Sequence, residues 1–229
     1  MNNIKKQYDA FADSYSDAIK EKGKLSREVY YRYLDFPMEG KTILDAGCGE
    51  GTELAFCQGK GAKVYGIDTS KEMVRLAKEK VPDATVSVGD FTHLPFEDNF
   101  FDAVITKHAI HIASDVSTVI SEFTRVLKTN GVLVILTVHP IRQFMEKKKK
   151  NKDYFKQEIV ESILFGGLVK VKEPTHTMND YLSDGFLQTY DMLAFNETYD
   201  PYSAEKVDGD AYPGFMIIKA RKRPARTDM

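Results

Sequence analysis

Five short apolar runs recur along the first two thirds of the chain, separated by stretches in which apolar residues return every three or four positions. The runs are "KTILDAG" (41–47), "KVYGIDT" (63–69), "ATVSVGD" (84–90), "FDAVITKH" (101–108) and "GVLVILTVHP" (131–140). They are mostly continuous rather than strictly alternating, the pattern of strands covered on both faces. The intervening spacing predicts helices over about 50–60, 70–80 and 115–128. In the last, Val116, Val119, Ile120, Phe123, Val126 and Leu127 form one apolar stripe. Asp115 or Ser114 serves as its N-cap, and "KTNG" stops it before Gly131. Strand alternating with helix implies right-handed crossovers and a Rossmann-like, doubly wound α/β sheet.

The flanks are less regular. Ile4, Tyr8, Phe11 and Tyr15 repeat as one helical face, and a second helix is expected around "LSREVYYRYLDF". Residues 1–38 therefore read as an N-terminal helical cap on a single domain, 1–229. After the fifth run, "FMEKKKKNKDYFKQEIVESILF" reads as helical or mobile, and "TMNDYLSDG" as a short helix stopped by glycine. "FLQTYDMLAF" and "GFMIIKARK" read as late strands, and "KKKKNK" (147–152) as a solvated face.

"LDAGCGEGTE" places Gly47, Gly49 and Gly51 where the first strand meets the first helix. In doubly wound folds ligands bind in that crevice, and a glycine turn lets the backbone touch them. Asp68 ends the second strand, where a carboxylate can accept both hydroxyls of a ribose. Asp90, followed by Phe91, ends the third, placed to accept an adenine amino group beside an aromatic ring. The glycines run G-x-G-x-G, with Thr52 where a dinucleotide fingerprint wants its third glycine, and Thr52-Glu53 does not supply a P-loop lysine.

These residues carry a resemblance. "LDAGCGEG", "VYGIDTSKEMVRLAKEK", "VGDFTHLPFEDNFFDAVITKHAIHI" and "EFTRVLKTNGVLVILTVHP" resemble successive motifs of class I S-adenosylmethionine-dependent methyltransferases. The likeness is strongest to the small bacterial group of ubiquinone/menaquinone-biosynthesis methyltransferases. It implies a seven-stranded, mostly parallel sheet with the last strand antiparallel, and S-adenosylmethionine as cofactor, released as S-adenosylhomocysteine. By position it implies Gly47 and Gly49 beside the methionine part, with Asp45 near the amino group. Asp68 would hold the ribose, Thr69 and Met73 would flank the adenosine, and Asp90 and Phe91 would recognise adenine. Lys107 would offer its carbonyl to the methionine ammonium, and Tyr15 would fold over the cofactor.

An acceptor that carries a proton needs a base at the reacting atom, and histidine titrates in the right range. His111 and His108, at the exit of the fourth strand, are the candidates, with His139 and His176 behind them. The rival reading of each is packing and main-chain hydrogen bonding; Met73 and Phe91 also suit plain core. Asp102 reads as a strand-start residue and Asp115 as a cap. Cys48 and Cys57 read as packing residues, and no carboxylate cluster suggests a metal.

Composition narrows the partners. With 32 Lys and Arg against 34 Asp and Glu the net charge is −2, which argues against bulk electrostatic binding of nucleic acid. Two cysteines make no disulfide scaffold. No run reaches the roughly 20 apolar residues of a membrane span, and no signal peptide is evident at the N-terminus. A cytoplasmic protein without stable membrane association is expected. Strand four ends in "TKHAIH", lacking the "[DN]PP[YFW]" of nucleobase or amide methylation, and no Pro-Cys pair follows it. A small-molecule acceptor is therefore expected, with residues 141–190 as its lid; Phe144, Tyr154, Phe155, Phe165 and Tyr181 could line that lid or build a satellite core. The rival functions are a non-catalytic cofactor-binding regulator or partner subunit and a nicotinamide-dependent oxidoreductase.

Overall fold

The computed structural model describes residues 23–148, 152–164, 169–200, 207, 209 and 211–225. Helix α1 (Lys24–Tyr33) leads into β1 (Thr42–Ala46), α2 (Thr52–Gln58), β2 (Lys63–Asp68), α3 (Lys71–Lys80), β3 (Thr85–Val88) and β4 (Phe101–Lys107). A 3₁₀ turn at Ile110–Ile112 precedes α4 (Val116–Val126), which runs straight into β5 (Leu127–Val138). The helical turn α5 (Pro140–Arg142) widens into a π-helical turn, Gln143–Lys147. Then come β6 (Ile159–Leu164), β7 (Val169–Pro174), α6 (Met178–Tyr181), α7 (Asp184–Thr189), β8 (Tyr190–Tyr199) and β9 (Pro213–Lys222).

The main sheet has the order β3-β2-β1-β4-β5-β9-β8. Its first five strands are parallel, and β9 lies antiparallel between β5 and β8. The register sets Asp45 opposite Gly66, Asp68 opposite Val88 and Lys107 opposite Leu136, so the carboxyl ends of these strands share one edge. The order reverses between β1 and β4, the switch point where α/β sheets open a ligand crevice.

Both faces of the sheet are covered, which is why its strands read as continuous apolar runs. On one face Leu44, Ile67, Leu133, Ile135, Met216 and Ile218 pack against the Val119, Ile120 and Phe123 stripe of α4. On the other, Ile43, Ile105, Val134, Leu136, Phe215 and Ile217 pack with Tyr30, Leu54, Val74 and Ala77 from α1, α2 and α3. Each fully buried aliphatic side chain contributes about 1.5–3 kcal/mol. The buried Tyr30 hydroxyl donates towards the carbonyls of Thr106 (3.2 Å) and Val134 (3.3 Å), satisfying its polar end.

The two acidic residues read as structural are so. Asp102 Oδ2 accepts from the Thr42 N–H (3.0 Å) and from Lys128 (2.9 Å). Asp115 Oδ1 accepts from the N–H groups of Ser117 (2.9 Å) and Thr118 (3.3 Å) at the start of α4. Asp115→Ala is expected to cost about 1 kcal/mol of stability, read as a lowered urea midpoint at unchanged slope. An unchanged midpoint would show that the cap contributes nothing.

Four expectations need correction. The helix over 115–128 stops at Val126, and "KTNG" lies inside β5, not at a helix end. There the β4–β5 ladder slips between Phe101–Leu127 and Ala103–Val132, with Asn130 at φ +63° absorbing the turn. The stretch 144–165, read as helical or mobile, contains β6, which pairs antiparallel with β7 in a separate two-stranded sheet. Its period-two pattern buries Val160 and Ser162 while Ile159 and Glu161 face out. Gly185 does not stop a helix: Ser183 caps α7, accepting from the Phe186 N–H at 3.2 Å, so the first residues of "FLQTYDMLAF" are helical. Finally, Lys147 and Lys148 are buried rather than solvated. Lys148 donates to the carbonyls of Asp153 and Lys156, and Lys147 lies 3.8 Å from Glu146, partners that make burial tolerable.

Candidate functional site

The β1–α2 loop is held down by main-chain bonds: the Gly47 and Cys48 N–H groups donate to the Ile67 carbonyl at 2.8 and 3.1 Å. Gly47 takes φ +78°, and a Cβ there would lie 2.3 Å from the Ala109 Cβ, so the loop presses against the segment after β4. Gly49 takes φ +51° and faces open space within 4 Å. One glycine is required by close packing and the other leaves a surface that a ligand can approach. Thr52, at the discriminating position, donates to Glu50 Oε1 (2.8 Å) and accepts from Lys80 (3.2 Å).

Asp68 ties the loop to the next helix. Its Oδ2 accepts from the Gly49 N–H and its Oδ1 from the Ser70 N–H, both at 2.9 Å. It is half-buried at the carboxyl end of β2. Behind it stands Asp45, only 2% exposed, whose Oδ2 has no hydrogen-bond partner. Burial and the neighbouring Glu53 carboxylate push the Asp45 carboxyl well above the usual range, against the pull of Lys107. Lys107 places its Nζ 3.0 Å from Glu53 Oε1, so one cation is set against two buried carboxyl groups. A buried acceptor without a donor is costly, and an ammonium group from a ligand would relieve it. The residues present thus fit a cofactor with an amino-acid end and a ribose.

The remaining positions fall around this centre. Asp90 Oδ1 accepts from the Thr92 N–H and hydroxyl, both at 2.8 Å, fixing the turn after β3. Phe91 is buried, meets Phe123 edge-on at 6.3 Å, and lies 3.7 Å from where a Gly47 Cβ would sit. Thr69 is half-buried and Met73 is buried at the start of α3, its N–H donating to the Ser70 hydroxyl at 3.2 Å. Tyr15 and Phe165 lie outside the described residues. Cys48 and Cys57 are buried free thiols, pushed up by burial and by Asp45, so neither is a ready nucleophile.

His111 sits in the 3₁₀ turn after β4, buried, with Nε2 3.4 Å from Glu173 Oε2. Glu173, on β7, was not singled out from the sequence. Its Oε1 accepts from Ser162 Oγ (2.7 Å) and Gln143 Nε2 (3.3 Å). Burial pushes this carboxyl up, but His111, Ser162 and Gln143 override it and hold the pKa at about 2. The signal for Glu173 was available: "VKVKE" alternates in period two, and Glu173 falls on the inward phase with Val171. A charged residue on a core-facing phase has to be paired.

The other histidines take different parts. His108 adopts φ +51° and its ring meets Phe215 edge-on at 6.2 Å; burial, with Lys107, His111 and Arg142, lowers its pKa well below the usual imidazole value. His139 Nδ1 accepts from the Ile141 N–H (3.0 Å), capping α5, and its Nε2 lies 2.8 Å from Glu197. His176 Nε2 contacts the His111 carbonyl at 2.9 Å. Of the aromatic residues in 141–190, Tyr181 is fully buried in the core, Tyr154 accepts from the Met178 N–H at 2.7 Å and touches Phe144, and Phe155 is exposed. No helix among the described residues is long and apolar enough to cross a membrane.

Comparison with known proteins bears on this geometry. A family described as "Methyltransferase domain" matches residues 44–135. A demethylmenaquinone methyltransferase of Thermobifida fusca is 32% identical over 62% of this chain and 66% of its own length. A malonyl-[acyl-carrier protein] O-methyltransferase of Hamiltonella defensa is 34% identical over 56% of this chain and 52% of its own. The chain thus spans about half to two thirds of these curated relatives. Among solved structures, an S-adenosylmethionine-dependent methyltransferase from Mesorhizobium loti superposes with a TM-score of 0.68 at 22% identity, covering 83% of this chain and 95% of the other. The [4+2]-cyclase SpnF superposes at 0.67 with 18% identity, over 96% and 95%. Likenesses at these identities speak for the fold.

Proposed function

We propose that the chain is an S-adenosylmethionine-dependent methyltransferase that moves a methyl group from this cofactor to an oxygen, nitrogen or carbon of a small-molecule acceptor, a reading supported by the matched methyltransferase domain and its relatives. The observation that carries the reading is the orphaned, buried Asp45 Oδ2 beside an open Gly49 and the Asp68 carboxylate. When bound, the cofactor supplies a methyl group on a positively charged sulfur. Asp45 receives the ammonium of its methionine part, assisted by the Lys107 carbonyl; Gly47 and Gly49 border that part. Asp68 holds the ribose hydroxyls, Thr69 and Met73 flank the adenosine, and Asp90 with Phe91 meets the adenine. Tyr15 belongs to the same set in this reading.

These contacts fix the reactive carbon in one place, so an acceptor held in line at about 3–3.5 Å gains most of what catalysis requires. In this reading residues 1–38 cap the cofactor and 141–190 cover the acceptor, excluding water. His111, with His108 beside it, is the base where the acceptor carries a proton. The free cysteines suit a reducing, cytoplasmic setting.

Calorimetry with S-adenosylmethionine and with a reduced nicotinamide dinucleotide comes first, followed by mass spectrometry of metabolite extracts incubated with methyl-labelled cofactor. The expected result is binding of the sulfonium cofactor alone and a labelled product that requires the protein. Binding without any transfer would favour the regulator, and binding of the nicotinamide instead would overturn the reading.

A further inference from the structure

The geometry points to Nδ1 of His111 as the proton-accepting atom and to Glu173 as its positioning residue, so that the acceptor is one that arrives protonated at the atom to be methylated, a hydroxyl or N–H rather than a carboxylate. The inference rests on the methyl-transfer reading above. It starts from an asymmetry in the ring. Nε2 faces the Glu173 carboxylate at 3.4 Å, whereas Nδ1 is buried and has no partner. A neutral imidazole carries one N–H, and the nitrogen that faces a carboxylate keeps it. The lone pair of the neutral ring is then left on Nδ1, in the 3₁₀ turn that follows β4.

The surroundings hold this arrangement. Glu173 is 3% exposed, and its other oxygen is fixed by Ser162 on β6 and Gln143 on the π-helical turn, so two further elements set its direction. π-Turns inside helices concentrate at functional sites. Gln143 also donates to the Pro174 carbonyl (3.0 Å) and accepts from the His176 N–H (3.1 Å), and His176 in turn contacts the His111 carbonyl. The titratable groups around the ring are Glu173 and His176 from the β7 side, Asp180 of α6 behind His176 (3.8 Å), and His108 from its own segment. Against the upward push of burial, hydrogen bonds from His111, Ser162 and Gln143 hold the Glu173 carboxyl below the usual range. It orients the ring and touches neither acceptor nor cofactor. A buried charge so fully tied would be an expensive way merely to pack a two-stranded sheet.

In the transfer, the acceptor's oxygen or nitrogen forms the new bond to the methyl carbon, the carbon–sulfur bond breaks with its electron pair left on sulfur, and the acceptor's proton goes to His111 Nδ1. A carboxylate acceptor has no proton to give up and would leave the dyad without a task.

The first test needs no acceptor. Nitrogen-15 spectra of the histidine side chains, followed as pH is raised until the ring is neutral, are expected to show neutral His111 protonated on Nε2 and bare on Nδ1. Glu173→Met should lose that single tautomer, and Glu173→Gln, whose amide oxygen still accepts, should keep it. A proton on Nδ1 of the neutral ring in the natural protein, or an unchanged spectrum in Glu173→Met, would overturn the assignment. The second test uses the labelled metabolite extract. His111→Ala is expected to lower the transfer rate about a hundredfold at unchanged cofactor affinity, a typical loss for a general base. The labelled methyl should survive mild alkali; release as methanol would reveal a methyl ester, hence a carboxylate acceptor, and overturn the acceptor class. Cofactor binding with no transfer to any component would overturn the methyl-transfer reading itself, while the spectra would still decide the tautomer.

Discussion

Alanine at position 68 is expected to weaken S-adenosylmethionine binding by a hundredfold or more while leaving the chain folded. The carboxylate holds the loop through the Gly49 and Ser70 N–H groups at 2.9 Å, and in the proposed reading it also accepts from both ribose hydroxyls. Hydrogen bonds to a charged group are each worth about 1.5–3 kcal/mol, so losing two costs about two to four decades in affinity. Asp68 is half-buried at a strand end rather than in the core, so the melting temperature should fall by only a few degrees. Asp68→Asn, which keeps one acceptor, belongs between the two. Calorimetry on the purified variants decides it, and unchanged affinity for Asp68→Ala would remove this residue from the ribose site.

The largest effect on folding is expected at Gly47. A Cβ there would approach the Ala109 Cβ to 2.3 Å, in a backbone region with φ +78°. The left-handed geometry costs about 1–2 kcal/mol for a residue with a side chain, and overpacking adds about 1–3. For a chain of this size that is a drop of roughly 4–20 °C in the melting temperature of Gly47→Ala. Gly49→Ala is the contrast: its φ of +51° carries the backbone cost, but nothing lies within 4 Å of the new methyl. It should melt closer to the natural protein and lose cofactor affinity instead. Equal melting of the two variants would dissolve the distinction between a packed and an open glycine.

How far the sequence speaks depends on whether a feature is local. The five parallel strands and the helices between them are legible because each run lies between covering layers, and the Asp115 cap and the Asp102 strand start are legible because their partners are near or expected. The β6–β7 pair is not, since a lysine-rich approach masks a short alternation and the pairing is made across the chain. Lys147 and Lys148 mislead for the same reason: what makes their burial tolerable is Glu146 and two carbonyls that no charge count shows. In the site, the glycines and Asp68 announce themselves by position at strand ends. His111 is visible as a residue type at the exit of the fourth strand, but its orientation depends on Glu173, sixty-two residues on, by subtraction of their numbers. Only the inward phase of "VKVKE" marks that partner in advance.

The placement of β9 has a consequence for how the molecule is made. This strand, residues 213–222, is sandwiched between β5 and β8, and Lys222 fastens its far end to the carbonyls of Thr124 and Leu127. Until that stretch has left the ribosome, β5 exposes a raw edge and β8 has no neighbour to join. Once β8 has followed, the nascent chain carries two sticky borders, and the insertion of β9 as a wedge closes both at once.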